Sequence, residues 1–215
     1  MAFLRRQKYD RRKLLSQANR ARNRGRVKKA IRLYQRVLEV EPGDVEIHRR
    51  IAPLLARSRQ PAAALASFHR AITGLMREGF EDKALAVCHE TTRYFPQRVD
   101  VWEAIASLEL RRRRVPDAVK ALRDGRKHFR RRRCRAEALR LLRRAHEIAP
   151  TDVAVATDLA RLLAKSGGRA EARQLLVSLA HRTPGRALRR IRWAQLRVDP
   201  TPARLIGVLF PRSGR

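Results

Sequence analysis

The chain has 215 residues, 44% of them hydrophobic, which is enough to bury the core of one ordinary domain or a short repeat array and excludes a disordered protein. Only 5% of the residues are aromatic, whereas Ala and Leu recur, and this favours packed helices over sheets. The 52 Lys and Arg residues exceed the 20 Asp and Glu residues by 32, so the surface should attract polyanions, although a GC-rich coding bias would give the same excess of arginine.

The apolar periodicity and the Gly and Pro breakers predict helices throughout the chain, and no strand pattern competes with them. In chain order, helices are predicted over residues 10–24, 26–40, 45–57, 60–78, 80–94, 99–112, 115–130, 135–148, 152–165, 169–182 and 186–197. Pro61 and Pro116 stand at predicted helix starts, where a missing N–H is tolerated. The predicted fold class is therefore all-α, with about eleven helices.

The sequence repeats itself without gaps at a period of 54 residues, over 27–80, 81–134 and 135–188. The same residue types coincide in all three copies: Ala30, Ala84 and Ala138; Pro42, Pro96 and Pro150; and Ala64, Ala118 and Ala172. The alanines at 30, 64, 84, 118, 138 and 172, which we call the marker alanines, are thus separated by alternating steps of 34 and 20 residues.

Each copy contains a shorter motif, "KKAIRLYQRVLEVEPGD" at 28–44 and "AEALRLLRRAHEIAPTD" at 136–152, with a small Ala inside the helix and a Pro after it. Over residues 11–197 this pattern resembles the tetratricopeptide repeat (TPR) family, whose 34-residue unit is a helix-turn-helix. The resemblance implies an α-solenoid of antiparallel helix hairpins, a right-handed superhelix with a concave groove. The 20-residue steps depart from the family, and we interpret them as one helix that closes one repeat and opens the next.

Three segments follow from this interpretation: a basic N-terminal tail at 1–10, the repeat domain at 11–198, and a C-terminal capping segment or tail at 199–215. The apolar run from Leu205 to Phe210 is expected to fold back over the last helix. The start of the chain has no apolar signal region, and no stretch is long enough to span a membrane, so a cytoplasmic location is expected.

Motifs of catalysis were not found: the sequence has no Gly-rich phosphate loop, no nucleophile elbow and no zinc-protease spacing. We therefore expect no enzyme activity, no cofactor, no metal site and no small-molecule substrate. Trp102, Trp193 and Phe68 occupy apolar helical positions and are expected to pack inside the protein.

The leading functional hypothesis is an adaptor that binds an acidic peptide or helix of a partner protein. In the family that the chain resembles, the first helix of each pair lines the concave groove. The residues at matching positions are Arg12, Asn19, Arg22, Arg49, Arg57, Glu103, Arg111, Arg161 and Lys165.

The alternative is a protein that binds the phosphate backbone of RNA or DNA through two arginine runs. The first run is Arg130, Arg131, Arg132 and Arg133; the second is Arg111, Arg112, Arg113 and Arg114. The other copies make the corresponding turn, at 73–80 and 181–188, with Gly, Thr and Pro, so the repeat does not require four arginines there, whereas cations at 111–114 suit a helix C-terminus. Adhesion to an anionic membrane surface ranks last, because the chain has no amphipathic anchor or lipidation motif.

Overall fold

The computed structural model describes residues 9–200, which form eleven α-helices, one short 3-10 helix and no strand. The helices are α1 (Arg11–Asn23), α2 (Val27–Val40), α3 (Val45–Arg57), α4 (Pro61–Arg77), α5 (Glu81–Tyr94), α6 (Val99–Arg111), α7 (Val115–Arg126), the 3-10 helix (Arg132–Cys134), α8 (Arg135–Ile148), α9 (Val153–Lys165), α10 (Arg169–Arg182) and α11 (Gly185–Val198). The expected cap at Leu205–Phe210 and most of the expected N-terminal tail lie outside the described residues. None of the described helices is long and apolar enough to cross a membrane.

The chain divides into two compact units at the Phe95–Pro96 bond. Unit 1 contains α1 to α5 and unit 2 contains α6 to α11. Within each unit, helices that follow each other in sequence pack side by side as hairpins, since the turns between them are short. The all-α hairpin architecture predicted from the sequence is confirmed.

The marker alanines are fully buried among the packed helices. All six, Ala30, Ala64, Ala84, Ala118, Ala138 and Ala172, have no solvent exposure. A methyl group at these positions lets two helix backbones approach closely, and larger residues such as Tyr34, Phe68 and Leu142 fill the space beside them. The sequence repeat is therefore a repeat of buried positions.

Five helix turns share one geometry. At the turn residue φ is positive, and the N–H of the next residue bonds back to a carbonyl five residues earlier, at 2.8–3.0 Å, which closes a Schellman motif. The turn residues are Gly25, Arg59, Gly79, Arg113 and Gly167. Between the first four of them the steps are 34, 20 and 34 residues, so the turns follow the same alternation as the marker alanines.

The predicted helix over 115–130 is wrong at its C-terminal end, because α7 stops at Arg126. The amides of Lys127, His128 and Phe129 bond to carbonyls three residues earlier, and these tighter turns bring the chain out of the helix. Phe129 is buried as a result, and the His128 ring stacks on Trp102 at 5.6 Å between ring centroids. Arg130–Arg133 therefore lie in a turn and the 3-10 helix.

Candidate functional site

In unit 1, helices α1, α3 and α5 line a cavity of about 700 Å³, which we call the unit 1 groove. Asn19 and Arg22 come from α1, and Arg49 and Arg57 from α3, so four of the predicted groove residues lie together. The remaining described lining residues include two carboxylates, Glu46 and Glu90, and the ring of Tyr94.

Ion pairs inside the unit 1 groove neutralise part of its positive charge. Glu46 accepts hydrogen bonds from Arg49 Nε and NH2, at 2.9 and 2.8 Å, and from Arg50 Nε at 2.8 Å. The bonds from Arg49 and Arg50 lower the pKa of Glu46 to about 2, although partial burial opposes the shift. Arg22 and Arg57 form no ion pair with a described residue.

Asn19 also serves the packing of unit 1. Its Oδ1 accepts a hydrogen bond from the buried Tyr34 hydroxyl at 2.7 Å and one from Arg50 at 3.3 Å. Because a buried hydroxyl needs a partner, Asn19 is required whether or not a ligand enters the groove. Its carbonyl oxygen is already occupied.

In unit 2, α9, α11 and the start of α10 line a cavity of about 520 Å³, which we call the unit 2 groove. Four cations surround it, namely Arg161, Lys165, Arg169 and Arg197. Ala164, Ala194 and Val198 supply apolar surface, and none of the described residues that line it is acidic. The unit 2 groove thus combines uniform positive charge with an apolar floor.

The cations of the unit 2 groove are largely available to a ligand. Arg161 NH1 lies 3.5 Å from Asp158, which also contacts Arg123 at 3.4 Å, so this carboxylate is shared. Lys165, Arg169 and Arg197 form no ion pair with a described residue. The backbone of Lys165 is held by Arg135, whose NH1 donates to the Lys165 carbonyl at 2.7 Å and adds a fifth cation nearby.

Other residues predicted for the groove lie elsewhere. Glu103 accepts a two-pronged hydrogen bond from Arg140, so its carboxylate is occupied within unit 2. Arg12 lines a different cavity of unit 1, beside Tyr9 and Gln17. Arg111 is the last residue of α6 and belongs to the turn of the second arginine run.

The two arginine runs lie at opposite ends of α7. Arg111–Arg114 connect α6 to α7, with Arg113 in the left-handed conformation at φ 58°. Arg130–Arg133 follow the other end of α7 and are all solvent-exposed. Since α7 has 12 residues, it separates the runs by about 18 Å, and they form two patches.

Two of the three aromatic residues that were predicted to be buried are buried, and one is exposed. Phe68 and Trp102 are buried, at 1% and 8% exposure, as expected. Trp193 is 45% exposed on α11, so the expectation that it packs inside is wrong. The sequence prediction did not include three further candidates, Arg169, Arg197 and Trp193. For Arg197 and Trp193, the recurrence of cations every three or four residues in "GRALRRIRWAQLRV" could have indicated a charged helix face.

The thiol of Cys88 lies buried in unit 1. Burial raises the pKa of the Cys88 thiol to about 12, which keeps it protonated and unreactive. Within residues 9–200, no group of three or more His, Cys, Asp or Glu side chains is placed to hold a metal ion.

Two family models, both described as tetratricopeptide repeat, match residues 15–77 and 135–197, which together make up more than half of the chain. The chain belongs to the tetratricopeptide repeat family. Proteins built from these repeats are typically non-enzymatic scaffolds that bind other proteins, and this defines the general class of its function. No curated protein matches the chain.

Solved structures of low sequence identity also match. One is a putative kinesin light chain of Podosopora anserina with nearly identical TPR-like repeats, at 18% identity and TM-score 0.38, covering 88% of this chain and 86% of the other. Another is the P58(IPK) TPR domain, at 17% identity and TM-score 0.31, covering 94% and 67%. A tetratricopeptide repeat protein from Parabacteroides merdae has 14% identity and TM-score 0.28, covering 87% of each chain.

Proposed function

We propose that the protein is an adaptor that holds an acidic segment of a partner protein in the unit 2 groove. The observation that carries the proposal is the lining of this groove, where Arg161, Lys165, Arg169 and Arg197 surround an apolar floor without a described acidic residue. A carboxylate-bearing segment would meet cations on several sides, and an apolar side chain of the same segment would cover Ala164, Ala194 and Val198.

The contrast between the grooves supports this choice of site. In the unit 1 groove, Glu46 already pairs with Arg49 and Arg50 and offsets part of their charge, and Glu90 would repel an acidic ligand. Complementary charge affects the rate of association and the choice of partner more than it affects affinity. The unit 2 groove therefore selects acidic segments, and the unit 1 groove, with Arg22 and Arg57, is the secondary site.

A direct test is fluorescence anisotropy with a labelled peptide of alternating Glu and Leu, compared with a Lys and Leu peptide. The variant R161E/K165E should weaken binding of the acidic peptide by about tenfold or more, equivalent to about 1.4 kcal/mol. The matched control K120E/R182E changes the same charge at exposed positions of unit 2 outside the groove and should bind normally. Equal weakening by both variants would contradict the groove assignment.

The alternative function, binding to a nucleic-acid backbone, gains support from the exposure of Arg130–Arg133. If these four residues contact phosphates of duplex DNA, replacing all four with Gln should reduce the slope of log K against log salt by about 3 to 4. Titrations of a generic duplex and a generic RNA between roughly 50 and 300 mM salt measure this slope. An unchanged slope would remove the cluster from the alternative.

A further inference from the structure

The outer face of α11 is a strip of arginines around one tryptophan. Arg186, Arg189, Arg190, Trp193 and Arg197 are all exposed, and at 3.6 residues per turn they fall within an arc of about 100°. The opposite face, with Ile191, Ala194 and Val198, is buried in unit 2. A helix buried on one side thus presents cations and a large aromatic ring on the other.

Helix stability does not explain this strip. Arg186 is three and four residues from Arg189 and Arg190, and like charges at these spacings destabilise a helix. Arg186 also lies in the first turn, where the helix dipole disfavours cations. The arginines of α8 differ, because Arg140, Arg143 and Arg144 each pair with a glutamate.

The charge of the strip is not neutralised within residues 9–200. Helix α11 contains no Asp or Glu, and Arg186, Arg189 and Arg190 form no ion pair with a described residue. Besides Arg197, the strip therefore presents three available guanidinium groups, which suit bidentate contacts to phosphate oxygens.

Trp193 supplies the second chemical element of the strip. Its ring is 45% exposed in a chain whose other tryptophan is 8% exposed and hydrogen-bonded to the Pro96 carbonyl. Trp193 lies one helical turn from three cations, Arg189, Arg190 and Arg197. An exposed ring beside cations is the combination by which proteins bind single-stranded nucleic acids, since the ring stacks on a base while the cations contact the flanking phosphates.

We propose that the outer face of α11 binds single-stranded nucleic acid, with Arg186, Arg189 and Arg190 on phosphates and Trp193 stacked on a base. The strip shares Arg197 with the unit 2 groove, but the residues proposed to contact the nucleic acid do not line that groove, so this proposal does not depend on the adaptor proposal. A membrane is the less suitable partner, because the apolar residues of α11 other than Trp193 are turned toward the core or half-buried, and an interfacial helix needs a broad apolar face.

The test uses the intrinsic fluorescence of Trp193 in the full chain, titrated with an oligothymidylate of about eight nucleotides, a length within the range of one small binding site. Stacking should quench the emission, whereas inorganic polyphosphate of equal charge should leave it unquenched. The variant W193F should lose the quenching, and W193A should weaken binding measured by anisotropy by about fivefold or more.

The phosphate contacts are tested separately by the salt dependence of binding. R186Q/R189Q/R190Q should lower the slope of log K against log salt by about two, as expected for three phosphate contacts on a single strand.

The matched control is R20Q/R24Q/R26Q, which removes three exposed arginines from unit 1 and should leave quenching and slope unchanged. Equal quenching by polyphosphate would overturn the stacking, and no quenching by the oligonucleotide would overturn the site. A blue shift with anionic phospholipid vesicles, without an effect of the oligonucleotide, would show a membrane-binding face instead. Emission that is already shielded from acrylamide in the free protein would show that another part of the chain covers Trp193.

Discussion

Arg98 stands at the position where the other two copies of the repeat have an N-capping aspartate. Asp44 accepts a hydrogen bond from the Ile47 amide, and Asp152 accepts from the amides of Ala154 and Val155, whereas Arg98 makes no capping bond to α6. R98D should therefore stabilise the protein by about 1 kcal/mol, since the exposed ion pair that it removes, between Arg98 and Asp100, contributes little. Urea unfolding followed by circular dichroism measures the change, with D152A as the opposite case, which should destabilise by a similar amount. A lower unfolding midpoint for R98D would contradict the capping argument.

Arg113 adopts a left-handed backbone conformation, at φ 58°, where the third copy has Gly167 at φ 93°. A residue with a Cβ atom is strained in this region, so R113G should raise the free energy of unfolding by about 0.5–1 kcal/mol. This net value allows for the greater entropy that glycine gives to the unfolded chain. R113A is the matched control, because it removes the same charge but keeps a Cβ atom. The two variants should differ in thermal midpoint, and equal midpoints would mean that the charge, not the backbone, determines the effect.

Glu46 should contribute to the pH dependence of stability. Its pKa is lowered from 4.5 to about 2 in the folded protein, so its stabilising contribution is complete above pH 4.5 and is lost as the pH falls toward 2. The difference in unfolding free energy between the wild-type protein and E46Q should shrink across this window. E39Q is the control, because Glu39 forms no ion pair with a described residue. A difference that stays constant from pH 5 to about 2 would be incompatible with this assignment.

The helices show which structural features follow from local sequence and which do not. Prolines, glycines and capping aspartates act within a few residues, so most predicted helix ends are within two residues of the observed ones. The end of α7 was mispredicted because the burial of Phe129 and the stacking of His128 on Trp102 depend on tertiary packing, about which periodicity contains no information. The exposure of Trp193 was mispredicted for a similar reason, since an apolar position is buried only if another element covers it.

Helices α6 and α7 approach each other closely at Trp102 and Gly125. Gly125 lies against the indole of Trp102, and a Cβ atom built there would be 2.5 Å from Trp102 Cγ. Because the ring is enclosed and hydrogen-bonded to the Pro96 carbonyl, G125A should destabilise by about 1–3 kcal/mol. G43A is the control, since its added methyl group meets no atom within 4 Å. Equal stability of the two variants would show that α6 and α7 can separate without loss.

The candidate site was only partly predictable because charge counts do not show pairing. The repeat pattern assigns Asn19, Arg22, Arg49 and Arg57 to groove-lining positions. These four residues line one cavity, and their role in binding a partner stays a prediction. The sequence count did not reveal that Glu46 neutralises Arg49, or that α11 lies beside α9 and adds Arg197 to Arg161 and Lys165. Both depend on the orientation of side chains and on contacts between helices.

The net charge of the whole chain, +32, should make its stability depend on salt concentration. Repulsion among so many cations favours the unfolded chain, in which they move apart, and salt screens this repulsion over a Debye length of about 10 Å at 0.1 M. Raising sodium chloride from about 50 to 300 mM should therefore stabilise the protein by about 1–2 kcal/mol, or roughly 2–8 °C in thermal midpoint.

Sodium sulfate at the same ionic strength distinguishes screening from anion binding. Equal midpoints in the two salts would mean that screening alone acts. A higher midpoint in sulfate would indicate anion binding. If this increase persists in R130Q/R131Q/R132Q/R133Q but is lost in R161E/K165E, the anion binds in the unit 2 groove. A midpoint that does not rise with either salt would mean that the +32 charge is already compensated in the folded protein, and the cations of the unit 2 groove and of α11 would then not be available to a ligand.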